Sequence, residues 1–129
     1  VIILDQVDGQ QGISLDTVTG KITVDQEARY LVIAAPQVGR EKPGLTANFR
    51  SWLRVNAMDA PNTNTLKTLV AVAVKDVLIC NALVHLRAGD ELEIVMATNH
   101  PDVGVAIEAF RPAPDEPRVP SIILSMSTR

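Results

Sequence analysis

The strongest constraint on how this chain can fold is a period of two in its apolar residues. In the segment Asn48 to Asn56, the residues Phe49, Ser51, Leu53 and Val55 fall on one parity and Asn48, Arg50, Trp52, Arg54 and Asn56 on the other. Successive side chains of a β-strand point to opposite faces, whereas a helical face repeats every 3.6 residues, so this pattern specifies an extended, two-faced element. Short runs of Val, Ile, Leu and Ala of the same character recur along the chain, separated by Gly, Pro, Asn and Asp, as in an all-β sandwich or barrel. Strands are expected near 1–5, 12–16, 20–25, 29–36, 47–57, 66–74, 77–87, 90–98, 103–110 and 119–127. Turns are expected at Asp8-Gly9, Thr19-Gly20, Val38-Gly39 through Pro43-Gly44, Pro61-Asn62, Ala88-Gly89-Asp90, His100-Pro101 and the proline-rich stretch 112–120. Leu66 to Cys80 has the Ala and Leu content of a helix, but Val70, Val72, Val74 and Val77 favour the extended state there.

A chain of 129 residues fits one domain, 1–129, large enough for a self-sufficient core. With 15 acidic against 12 basic residues and no basic block, it lacks the Lys/Arg stripe that phosphate neutralisation demands, which argues against a nucleic-acid partner. Cys80 is the single cysteine, so no disulfide forms within the chain. No apolar run approaches the roughly 20 residues of a membrane-crossing helix, and Val1-Ile2-Ile3-Leu4 is too short for a signal-peptide core.

Several segments carry a resemblance when taken in order. They are Gly20-Lys-Ile-Thr-Val24 with Ala28-Arg-Tyr30-Leu-Val-Ile-Ala-Ala35, then Phe49 to Asn56, then Asp59-Ala-Pro61-Asn62-Thr-Asn64-Thr65. Val84-His-Leu86-Arg-Ala-Gly89-Asp90-Glu-Leu92 and Val119-Pro120-Ser121-Ile122-Ile123-Leu124-Ser125 complete the set. The ordered set resembles the globular heads of the C1q/TNF-like superfamily, in its bacterial and viral C1q-like branch. It departs from the family pattern at Ala28 and Ala57, where glycine is usual. The resemblance implies an all-β, antiparallel jelly-roll β-sandwich of about ten strands that assembles as a compact homotrimer. It further implies a non-enzymatic, extracellular head domain for assembly and for protein or glycan recognition on a bacterial surface structure or virus particle. The alternative is a purely structural trimerisation, capping or decoration module of a larger assembly.

The alternation also suggests an association surface. In 77–87, Leu78, Cys80, Ala82, Val84 and Leu86 form an inner face, while Val77, Ile79, Asn81, Leu83 and His85 form a second face that is also largely apolar. In the last strand, Ile122, Leu124 and Met126 oppose Val119, Ser121, Ile123, Ser125 and Ser127, again with no charge on the second face. A sheet that meets water should carry charge there, so cover by another subunit or by loops of the same chain is expected. Trp52, Ile79, Leu83, His85 and Ile123 are the candidate trimer-interface residues. Arg50, Arg54, Arg40 and Lys42 are candidates for surface recognition of an acidic protein or a sialylated or sulfated glycan, against a reading as scattered surface charge.

Catalytic chemistry finds little support. His85 and His100 belong to no HExxH, His-x-His or Cys-rich spacing, and His100 with Asp102 is the one candidate metal pair. Asp90, Glu91 and Glu93 are split by alternation and read as a solvated edge, with calcium as the rival. No Gly-x-Ser-x-Gly elbow and no glycine-rich phosphate loop occurs, and Cys80 reads as a small core hydrophobe. The expectation is therefore no enzyme, no cofactor and no metal. Arg111 to Pro120 reads as a stiff connection to the final strand.

Overall fold

The structure, a computed structural model, describes residues 1–4, 12–40, 42–43, 46–71, 76–99, 104–109 and 113–128. Its described elements are all strands: β1 (Ile13–Leu15), β2 (Ile22–Val24), β3 (Ala28–Gly39), β4 (Ala47–Val55), β5 (Met58–Asp59) and β6 (Thr65–Leu69) come first. They are followed by β7 (Asp76–Val77), β8 (Cys80–Leu86), β9 (Glu91–Thr98), β10 (Ala106–Ile107) and β11 (Ile122–Thr128). All pair antiparallel, in two sheets. One runs β1-β2-β9-β4-β5 with β6 also on β4, and the other places β3 at the centre of β7, β8, β10 and β11.

The period of two decides how these sheets meet. On β3, Tyr30, Val32, Ala34, Pro36 and Val38 are buried while the intervening side chains are only partly so. Leu53 of β4, Ile22 and Val24 of β2, and Leu92 and Ile94 of β9 are buried in the same cluster as Tyr30, Val32, Ala34, Cys80 and Leu86. One core is thus shared by the inner faces of both sheets, the arrangement of a β-sandwich. Val38, Phe49 and Leu69 form a smaller cluster beside it.

The central proline of β3 has a local explanation. Pro36 lacks an N–H, and β3 changes partner there: Ala34 pairs with Cys80 of β8, and Gln37 with Val77 of β7. The absent donor falls at this interruption, where Leu78 N–H instead donates to the Pro36 carbonyl at 3.1 Å.

Most expected strands are present with altered bounds. The expected strand 1–5 is reduced to a bridge between Ile2 and Ile94, with Asp5 outside the described residues. The expected 77–87 is divided into β7 and β8, and the expected 66–74 is the shorter β6, with 72–74 outside the described residues. No helix occupies the described part of 66–80. The turns at Asp8-Gly9 and His100-Pro101, the Asp102 ligand candidate, Gly44, and the start of the Arg111 connection also lie outside the described residues.

Candidate functional site

Two surfaces stand out, on opposite sides of the sandwich. The first is the outer face of β8-β3-β11. Leu78, Cys80, Ala82, Val84 and Leu86 point inward as expected from alternation, leaving Ile79 and Leu83 exposed at 57% and 53%. Across β3, Leu31 pairs with Leu83 and with Ser127, Ile33 with Asn81 and Ser125, and Ala35 with Ile123. Ile123 is itself 57% exposed. The result is an uncharged field of Leu31, Ile33, Ala35, Ile79, Leu83 and Ile123. His85 sits at its rim, opposite Arg29, with Nε2 3.2 Å from Glu27 Oε1.

Trp52 does not belong to this face. Because its neighbour Leu53 is fully buried in the core, Trp52 points out of the other sheet, beside Val95 of β9 and between Arg50 and Arg54. The five candidate interface residues therefore divide into a group of four on one sheet and Trp52 on the other.

The second surface is built around Trp52 by a gap in strand pairing. β4 ends in a two-residue hairpin at Asn56 and Ala57, with φ of 49° and 66°, the left-handed pair of a type I′ turn. β5 then runs back along Arg54 and Val55, and β6 pairs with Ala47 to Ser51 on the same edge. Between them, residues 60–64 bow away from β4. Pro61 followed by Asn62 at φ 61° suits a type II turn, in which proline presets the first corner and the second takes a left-handed residue.

Thr63 closes the gap from the inside. Leu53 N–H donates to Thr63 Oγ1 at 3.1 Å, Thr63 Oγ1–H donates to the Ala60 carbonyl at 2.8 Å, and Ala60 N–H donates to the Leu53 carbonyl at 2.9 Å. The Cys80 thiol donates to the Thr63 carbonyl at 3.2 Å, tying the loop to the opposite sheet. The edge groups of Leu53 are thereby satisfied without a strand partner.

On the outside the same gap leaves a pocket of about 330 Å³ lined by Arg50, Trp52, Asp59, Ala60, Asn62 and Asn64. Trp52 Nε1 donates to Asp59 Oδ1 at 2.7 Å, and Arg54 Nε donates to the same oxygen at 3.1 Å. The indole N–H first, and then the Arg54 guanidinium, hold the Asp59 carboxyl below its ordinary value. These bonds fix the indole at the pocket wall. Arg50 Nε, by contrast, is shielded from solvent and has no hydrogen-bond partner.

The remaining candidates separate. Arg40 was expected at the surface, but it is only 1% exposed: Nε donates to the Lys42 carbonyl and Nη1 to the Leu69 carbonyl. It is a buried anchor between loop and β6, and this corrects its assignment to surface recognition. Lys42 is exposed and is not one of the residues lining the Trp52 pocket. Arg54 is engaged by Asp59, so Arg50 is the candidate cation left facing the pocket. Cys80 is fully buried, and burial pushes its thiol pKa up. Asp90 organises the β8–β9 turn, accepting from Asn56 Nδ2 and Arg87 N–H, and these bonds lower its pKa. Among the described residues, no three His, Cys, Asp or Glu side chains are grouped so as to hold a metal ion.

The pocket had partial signals in the sequence: the outward parity of Arg50 and Trp52 marked two of its lining residues, but Asp59, Asn62 and Asn64 read only as turn residues. Compared with known proteins, the chain matches no family model and no curated sequence.

Proposed function

We propose that this chain is a non-enzymatic head domain of jelly-roll type that assembles as a homotrimer and presents a recognition surface on a bacterial surface structure or virus particle. The observation that carries the assembly half is the outer face of β8-β3-β11, where Ile79, Leu83 and Ile123 lie exposed around Leu31 and Ile33 without an intervening charge. An apolar sheet face of this kind is ordinarily covered, and closed cyclic symmetry is the usual way a single chain covers it. The number three and the setting follow from the resemblance to C1q/TNF-like heads. The recognition half is supported by the Trp52 pocket, which lies on the other sheet.

Light scattering coupled to size exclusion tests the assembly. The expected mass is three times the 13.9 kDa chain, with Leu83→Asp and Ile123→Asp giving monomer or aggregate. A monomeric parent protein, or an unchanged trimer in both variants, sinks the reading.

A further inference from the structure

We propose that the pocket on Trp52 is a binding site for a carboxylated pyranose, the acidic sugar unit of uronic-acid or sialic-acid glycans. The inference rests on the recognition half of the function proposed above and names its ligand class.

Among the described residues no side chain pairs with the Arg50 guanidinium, and its Nε is hidden from water, an uncompensated donor that native proteins seldom leave. Arg54 is paired with Asp59 and lies opposite Glu93 in the β4–β9 register, so its charge is already met within the chain. Arg50 lies opposite Ala97 and Leu66, neither of which carries charge. The pocket therefore holds one guanidinium that the lining carboxylate, Asp59, does not pair, and a ligand carboxylate would meet the guanidinium on the side that lines the pocket, the shielded Nε being closed to it.

The rest of the lining specifies the ligand's body. Asn62 and Asn64 are exposed and line the pocket, and no bond to their side-chain amides is made among the described residues, so each offers both a donor and an acceptor. Asp59 uses Oδ1 for Trp52 and Arg54, leaving Oδ2 to accept from a hydroxyl. Around these stands one flat apolar surface, the indole, whose orientation is already fixed by Asp59. A sugar ring presents the matching combination, an apolar C–H face edged by hydroxyls that donate and accept. Ala60 is the one aliphatic residue in the lining, too little apolar wall for a lipid tail or a hydrophobic peptide anchor. The fixed indole and the hairpin-anchored loop lessen the ordering that binding would otherwise cost.

Trp52 is the only tryptophan, so its fluorescence reads this pocket directly. The protein is titrated with glucuronate and with N-acetylneuraminate, against glucose at matched ionic strength, up to about 100 mM so that weak binding is seen. A saturable change in emission with an acidic sugar, about ten-fold or more tighter than with glucose, is expected. Arg50→Gln should abolish that ten-fold preference, and Asn62→Ala with Asn64→Ala should weaken binding several-fold while circular dichroism stays unchanged. The two acidic arms separate uronic from sialic ligands. No saturable change with either acid, an equal response to glucose, or an Arg50→Gln variant that keeps the preference overturns the proposal. Light scattering on the same samples keeps the two ideas distinct, since a trimer that binds no sugar refutes this inference alone, and a sugar-binding monomer refutes assembly alone.

Discussion

Replacing Thr63 by Val is the sharpest test of how the pocket is built. Valine keeps the shape and removes the hydroxyl, which both accepts from Leu53 N–H and donates to the Ala60 carbonyl. Thr63 is 4% exposed and Leu53 fully buried, so water cannot readily replace the lost partner. An unsatisfied buried N–H costs about 1–3 kcal/mol, and the second lost bond adds about 1 kcal/mol, for a total near 2–4 kcal/mol. In a domain of this size that lowers Tm by roughly 8–16 °C. Thr63→Ser, which keeps the hydroxyl and loses one methyl, should cost only about 1 kcal/mol. Differential scanning calorimetry and urea unfolding of the three proteins measure the difference. If the Val variant is as stable as the parent, or the Ser variant is the worse of the two, the hydroxyl does not hold the loop and the account of the gap is wrong.

Three further outcomes are expected. Ala57→Gly relieves a left-handed alanine at φ 66° and should raise stability by about 0.5–1 kcal/mol in chemical denaturation, the gain being partly offset by the freer unfolded chain. Asp90 has a folded pKa lowered from 3.8 by Asn56 and Arg87. Its contribution is accordingly full above 3.8 and lost as pH falls through the lower folded value, so Asp90→Asn should flatten the acid limb of a Tm-versus-pH curve. Cys80, buried and with a raised thiol pKa, should react with a thiol reagent at least ten-fold more slowly in native buffer than in urea, and equal rates would contradict its burial.

Alternation made most of the fold legible. The inward set Leu78, Cys80, Ala82, Val84 and Leu86 and the exposed set Ile79, Leu83 and Ile123 follow from parity alone, because a strand's two faces are a local property. What parity cannot supply is which sheet a strand joins. Trp52 and Leu83 both read as outward apolar residues, yet β4 pairs with β9 and β8 with β3, which places them on opposite sides. Arg40 fails for a related reason. Its loop context reads as solvent, but the guanidinium is drawn inside by the carbonyl of Leu69, 29 residues away. The pocket itself depends on β5 and β6 sharing one edge of β4 with a gap at Leu53, a tertiary fact that Pro61-Asn62 alone does not encode.

The separation of the two surfaces has a physical consequence. An assembly built on the β8-β3-β11 face leaves the Trp52 pocket on the outer side of the other sheet, so oligomer contact and ligand need not compete. A shallow pocket with one aromatic surface and a few polar side chains should bind a single soluble sugar weakly. In the proposed trimer, three linked copies on a glycan-coated surface would convert the later binding events into intramolecular ones, tightening the whole by about 10²–10⁴-fold without a new contact. Leu83→Asp changes no residue of the pocket and, in this account, removes the linkage. On a surface coated with an acidic polysaccharide, the parent protein should dissociate at least 100-fold more slowly than soluble Leu83→Asp monomer, while both show the same affinity for free acidic sugar in solution. A variant that is monomeric and folded yet leaves the surface as slowly as the parent would show that the apolar face and the pocket are not coupled in this way.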